Sequence, residues 1–274
     1  MDFLRYNKFR MKLTVLMDNN TYIDMYYLGE PAVSYFIEDG NTRILFDTAY
    51  SDAYIKNAKA MDIDLDDVDK IVLSHGHNDH SGGLRYLNVR KTKLIAHPDA
   101  FDYKLNGGLE VSSPLSRNEV SDQYDLTLSK KPLQISDNIF FLGEIPTYFD
   151  FEKRYALGKT RKDNKMIDDY LYDDSAIVYR SDKGLFVITG CSHSGICSIM
   201  EHAKRVCNDE RIYGVIGGYH LFEIDDRLHK TIEYFKENKV ELIYPCHCVS
   251  LKAKIEMGRI LNIREVGVGL VLQI

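Results

Sequence analysis

The chain has 274 residues, of which 45% are hydrophobic and 28% charged, the balance of a globular protein able to bury a large core. A net charge of −6 gives no general attraction to nucleic acid, and no apolar run approaches the roughly 20 residues that span a bilayer. The opening residues Met1 to Tyr6 lack a signal-peptide core, and five cysteines are an odd number without framework spacing. A cytoplasmic protein is therefore expected rather than a secreted disulfide scaffold.

Lys12 to Met17 turns increasingly apolar and predicts a first strand. Ala32 to Glu38 and Arg43 to Phe46 predict two more, joined as a hairpin by the turn signal Asp39-Gly40-Asn41. Ser51 can cap a helix running to about Met61, with Tyr54, Ile55, Ala58 and Met61 on one stripe. The acidic stretch from Asp62 to Asp69 reads as a solvated approach to a strand at Ile71 to Leu73. Leu94 to His97 predicts the next strand.

Residues 98–175 break this rhythm. They hold most of the prolines, many tyrosines, and basic clusters at Lys130-Lys131 and Lys159 to Lys165. Only Leu133 to Ile135 and Ile139 to Leu142 read as strands. Long segments of this kind are either loops lying over a site or surface excursions. The regular pattern resumes with strands at Ser175 to Tyr179 and Leu185 to Thr189, around the turn Ser181-Asp182-Lys183-Gly184. Ile199, Met200, Ala203, Val206 and Cys207 then repeat at helical spacing. A strand at Val215-Ile216 and a helix marked by Leu228, Ile232 and Phe235 follow. The chain closes with a strand at Val240 to Tyr244, a helix at Leu251 to Ile260 and a strand at Val266 to Ile274. Two halves of strands with outer helices predict an α/β fold, a four-layer αβ/βα sandwich forming one domain over residues 1–274.

The chemistry concentrates in Ser74-His75-Gly76-His77-Asn78-Asp79-His80, directly after the apolar run Ile71-Val72-Leu73. Neutral imidazoles and a carboxylate are ligands that borderline divalent metals prefer. Gly76 permits a tight path between them. His193 and His247 also follow apolar strands, where a pocket can form. Cys197 and Cys207 read as small buried apolar residues. Cys246 and Cys248 have no second cysteine pair, so a separate structural zinc is not expected. His202 and His229 lie among charges on predicted helices and read as solvated. His97, before Pro98, could border the pocket.

The pattern of His75, His77, Asp79 and His80, followed by Ser81-Gly82-Gly83-Leu84, resembles the metallo-β-lactamase superfamily. Asp47, closing Ile44-Leu45-Phe46-Asp47-Thr48, matches that superfamily's early buried aspartate. Three later segments carry the likeness further: Thr189 to Ile196, Gly217-Gly218-Tyr219-His220-Leu221 and Pro245-Cys246-His247-Cys248. With Gly143-Glu144-Ile145-Pro146 they resemble one branch, hydrolase-like proteins often labelled dihydropterin-methyl ribofuranosylaminobenzene-phosphate synthases and linked to methanopterin-type biosynthesis.

The resemblance implies one or two divalent metal ions, with zinc favoured and manganese or iron as alternatives. His75, His77 and His193 would hold the first; Asp79, His80 and His247 the second. Where most members have a bridging aspartate, this chain has Cys191, which could bind as a thiolate or point away. Where most have Pro-Gly-His, Glu144 stands before Pro146, as a ligand or as an acceptor behind one. Asp47 would accept the free N–H of a ligating imidazole, or else cap a turn. Asp79 would position a hydroxide. His220 could be a ligand, a proton donor to the leaving group, a substrate contact or a scaffold histidine. Lys159 or Arg161 could meet a substrate phosphate.

The implied function is metal-dependent hydrolysis of a small-molecule ester, lactone or phosphoester. The alternatives are a biosynthetic transferase or synthase acting on a phosphorylated pterin precursor, and a metal-containing binding protein without turnover. A small and possibly phosphorylated substrate is the expected partner, with neither nucleic acid nor membrane.

Overall fold

A computed structural model describes residues 11–89 and 91–274. Its first sheet has seven strands in the spatial order β17 (Val271–Gln273), β1 (Lys12–Met17), β2 (Ser34–Asp39), β3 (Thr42–Phe46), β4 (Lys70–Val72), β5 (Lys93–Ala96) and β8 (Asp125–Leu128). From β17 to β3 the neighbours are antiparallel; from β3 to β8 they are parallel. The second sheet has six, in the order β16 (Leu242–Pro245), β15 (Ile212–Gly217), β14 (Gly184–Thr189), β13 (Ala176–Ser181), β10 (Ile139–Phe141) and β9 (Leu133–Gln134). Here β14, β15 and β16 run parallel.

Side-chain alternation explains how the two sheets stack. Along β3, Ile44 and Phe46 face one cluster while Leu45 faces another; along β14, Phe186 and Ile188 part from Leu185 and Val187 in the same way. The inner set, with Val15, Tyr35, Ile177 and Ile216, forms the layer between the sheets. Leu45, Ile71 and Leu94 pack outward against α1 (Ala53–Ala60) and α3 (Arg117–Gln123) through Tyr54, Ala58 and Val120. Leu185, Val187 and Val215 pack outward against α4 (Ile196–Cys207), α5 (Asp226–Glu237) and α6 (Leu251–Gly258). Strands covered on both faces must be apolar throughout, which is why they read as continuous hydrophobic runs. The four-layer αβ/βα sandwich is the architecture expected from the sequence.

Local differences emerge, among them a last strand confined to Val271–Gln273 where Val266 to Ile274 was expected. Residues 98–175 hold more regular structure than their pattern predicts. A third sheet, in the order β12 (Lys165–Asp169), β11 (Gly158–Lys162), β6 (Lys104–Asn106) and β7 (Leu109–Glu110), forms entirely within them. Helix α1 begins after Asp52, one residue later than expected, although the Ser51 hydroxyl still accepts the Ala53 N–H at 3.1 Å. His202 is not solvated: it is half-buried, with Nδ1 3.0 Å from the Tyr148 hydroxyl and Nε2 3.2 Å from the Leu142 carbonyl. His229 is exposed, and Cys197 and Cys207 are buried.

Candidate metal centre

Parallel strands direct their C-terminal ends to one edge, and both sheets meet there. His75 and His77 follow β4, Cys191 and His193 follow β14, His220 follows β15 and His247 follows β16. Asp79 and His80 lie in the single turn α2 (Asn78–Ser81). The backbone leaves these strands sharply. Asp47, Ser192, His220 and His247 all have φ between 49 and 60°, left-handed values that non-glycine residues hold only when their surroundings compel them. Gly83 is required for a different reason: a Cβ there would stand 1.9 Å from the Thr48 carbonyl oxygen.

Hydrogen bonds settle which nitrogen of several imidazoles carries the lone pair. The Ser74 hydroxyl donates to Asp47 Oδ2 at 2.7 Å, so it accepts from His75 Nδ1 at 2.9 Å. His75 Nε2 is thereby left with a lone pair, 3.1 Å from His77 Nδ1. His80 Nδ1 donates to the same Asp47 oxygen at 2.7 Å, freeing Nε2, which lies 3.2 Å from Cys191 Sγ and 3.5 Å from Asp79 Oδ2. His247 Nδ1 donates to Asn19 Oδ1 at 2.9 Å, and its Nε2 lies 3.4 Å from the same Asp79 oxygen. His193 Nε2 is buried without a partner among the described residues. His75, His80 and His247 thus turn a basic nitrogen inward, with the other nitrogen fixed from behind.

Two groups result. Donor atoms of His75, His77 and His193 all lie within 4.8 Å of one another, as do those of Asp79, His80, Cys191 and His247. In each group the donor atoms lie close enough together to share one cation in place of the hydrogen bonds between them. Nitrogen, carboxylate and sulfur donors in threes and fours suit zinc and its neighbours, so the residues present fit divalent metal ions. Asp79 is held well below the usual carboxylate range. Burial works against this, but His80 and His247 outweigh it.

Other predicted residues lie outside these groups. His220 packs against His193, ring centroids 4.4 Å apart, with Nε2 3.4 Å from the Tyr155 hydroxyl and Nδ1 buried and unpartnered. Burial, reinforced by the charge of Arg227, pulls its pKa down to about 3, so the ring is neutral in ordinary buffers. Glu144 bonds His97 Nε2 at 3.2 Å and pairs with Lys130 at 3.1 Å. Lys159 is paired with Asp168, and Arg161 stacks over Tyr103. Cys246 turns into the layer between the sheets, 3.2 Å from the Tyr35 hydroxyl, whereas the Cys248 thiol reaches the Cys191 carbonyl at 3.4 Å.

Residues that sequence reasoning missed support the centre from behind. Asp174 accepts both the backbone N–H and the hydroxyl of Ser194, next to His193. Asp173 accepts the Gly76 N–H at 2.8 Å. Adjacent aspartates just before an apolar strand were the only available signal.

The buried histidines make stability pH-dependent. Burial holds His75, His77 and His193 below the ordinary value of 6.5, and His220 lies low with them. Between their folded values and 6.5 the unfolded chain binds more protons, so stability falls as pH falls through that window. His80 acts oppositely. Burial lowers it, but Asp79 and Asp47 raise it further, and its contribution is lost as pH rises. Burial lowers His97 and His202 too, so six histidines against one set the sign above the carboxylate range, where Asp18, Glu152 and Asp174, raised by burial, act with His80. The metal-free protein is expected to melt at lower temperature near pH 5 than near pH 7, measured by circular dichroism in chelator. A midpoint that rose on acidification would contradict this charge distribution.

Comparison with known proteins adds the lineage. The family pattern described as the metallo-beta-lactamase superfamily matches residues 28–204. An uncharacterized protein of Methanocaldococcus jannaschii is 32% identical over 255 residues, covering 91% of this chain and 95% of that one. The 7,8-dihydropterin-6-methyl-4-(beta-D-ribofuranosyl)-aminobenzene-5'-phosphate synthase of the same organism is 32% identical over 229 residues, 77% of each chain. Among solved structures, Tm1679, described as a metal-dependent hydrolase of the beta-lactamase superfamily, superposes with a TM-score of 0.85 at 31% identity, covering 96% of this chain and 99% of that one. The chain belongs to the metallo-β-lactamase superfamily. Within it, the synthase from Methanocaldococcus jannaschii represents the branch that the sequence motifs anticipate.

Proposed function

We propose that the protein is a metal-dependent hydrolase of a small-molecule ester, lactone or phosphoester, with His75, His77 and His193 holding one divalent cation and Asp79, His80, Cys191 and His247 a second. The observation that carries this reading is the convergence of imidazole lone pairs and the Asp79 carboxylate at the strand ends. Cations bound there would lower the pKa of water from about 15.7 toward about 7, supplying hydroxide near neutrality. Asp79, ionised and within reach of His80 and His247, would help hold the second cation and position the attacking hydroxide, assisting proton transfer. His220, neutral and beside His193, serves as a hydrogen-bond partner to the substrate or its leaving group. The proposed partner is a small molecule, in keeping with the net charge of −6. Five unpaired cysteines favour a reducing compartment, the cytoplasm.

The test is turnover of aryl esters, lactones and phosphodiesters by protein loaded in turn with zinc, manganese and iron. At least one class is expected to be hydrolysed, with activity lost in chelator and restored by the metal. A metal-loaded protein inert on every class would leave a binding role instead.

A second reading, a synthase acting on a phosphorylated pterin precursor, is supported by the name of the 32% identical relative. Tyr155 and Phe222, both about half exposed, flank His220 and offer two aromatic faces on which a flat heterocycle would stack. Product formed only when a pterin and a ribosyl-phosphate partner are both present would favour it over hydrolysis.

A further inference from the structure

Lys104 has only 2% of its surface exposed. Its ammonium lies 3.1 Å from Asp169 Oδ2 and 3.0 Å from Asp173 Oδ1, and both carboxylates are buried as well. One cation against two anions leaves the trio with a net negative charge in the interior. Buried ion pairs seldom improve stability over well-packed apolar residues, so this one calls for another reason.

The second oxygen of Asp173 supplies it. Asp173 Oδ2 accepts the Gly76 N–H at 2.8 Å, on the single residue between His75 and His77. The opposite side of Gly76 is closed by backbone, since a Cβ there would stand 1.8 Å from the Ala100 carbonyl oxygen. Lys104 begins β6 and Asp169 ends β12, so the contact runs from the small third sheet to the loop that carries the histidines. We propose that Asp173 and Lys104 are positioning residues for the first metal group. They hold the backbone between His75 and His77 in its ligand-ready path before any cation arrives, and they make the third sheet a structural part of the centre. This rests on the reading that His75, His77 and His193 bind a cation.

Only a carboxylate can serve both neighbours. An asparagine at 173 has one acceptor oxygen and must abandon either Gly76 or Lys104. The experiment follows ¹⁵N imidazole NMR signals during zinc titration of wild type, Asp173→Asn and Asp169→Asn. In Asp173→Asn, His75, His77 and His193 are expected to need about tenfold more zinc to shift, as loss of groups that orient ligands commonly requires, while His247 titrates as in wild type. Asp169→Asn leaves the Gly76 contact in place, so its zinc titration is expected to match wild type although it melts earlier. Equal weakening at every histidine, wild-type behaviour of Asp173→Asn, or the same loss in Asp169→Asn would overturn the proposal.

Hydrogen exchange needs no variant. The Gly76 amide of metal-free wild type is expected to be protected, and exchange at the rate of an open loop would also overturn it. If no imidazole of wild type responds to zinc, the metal reading itself fails, an outcome distinct from all of these.

Discussion

Replacing Asp79 by alanine is expected to lower kcat/KM by about 10³-fold, the scale of a lost general acid–base group, while the fold persists. Among the described residues, Asp79 is the acid that touches two imidazoles of the second group, 3.5 Å from His80 Nε2 and 3.4 Å from His247 Nε2. Its side chain is 30% exposed, so truncation opens no deep cavity. The loss should fall on kcat, because the carboxylate is assigned to moving a proton rather than to holding substrate. Metal content should drop together with activity. Asp79→Asn separates the two roles, keeping the shape but removing the negative charge. Steady-state kinetics, elemental analysis and circular dichroism on both variants check the prediction. An asparagine variant with near-normal kcat would show that this carboxylate takes no proton.

Asp47→Asn is expected to cost about 3 kcal/mol of stability or more. Asp47 is fully buried and accepts three hydrogen bonds: Ser74 N–H at 2.7 Å, Ser74 hydroxyl at 2.7 Å and His80 Nδ1 at 2.7 Å. An amide offers one acceptor in place of two and presents an N–H₂ toward a donor on its other side. At least one buried donor is then left without a partner. The backbone is no obstacle: φ at Asp47 is 56°, and asparagine adopts left-handed conformations readily. The effect therefore isolates the hydrogen bonds. Urea denaturation of the metal-free variant measures it, and zinc affinity should also fall by about 10–100-fold as His80 loses its anchor. A cost below about 1 kcal/mol would mean that Asp47 caps a turn and does little else.

What the sequence made legible follows from covering. Ile44 to Phe46 and Leu185 to Ile188 are apolar without interruption because both sheet faces are packed, and such runs stand out. The donor residues were visible because the cluster from His75 to His80 is dense and Cys191, His193 and His247 each follow an apolar strand. The third sheet was not visible. Its strands β11 and β12 are mostly exposed and rich in Lys159, Arg161, Lys162 and Lys165, so no alternation marks them. Helix α3 does carry a signal, the capping box between Ser116 and Glu119, set among residues of loop-like composition. Charged neighbours Glu201 and Lys204 give His202 the look of a solvated residue in the sequence. They turn inward as well, to Tyr234 and Asn238. The contact between Lys104 and Asp173 joins positions 69 residues apart, and nothing local announces it.

Each of the two donor groups draws on both halves of the sandwich. His75 and His77 come from the first sheet and His193 from the second; Asp79 and His80 from the first, Cys191 and His247 from the second. An ion seated in either group therefore works as a clasp across the seam. The halves cannot part without releasing it, so the free concentration of the ion enters the folding equilibrium directly. At a hundred times the dissociation constant, a single clasp adds about 2.7 kcal/mol. Where that ion is scarce, a chain that relies on the clasp would lose resistance to unfolding.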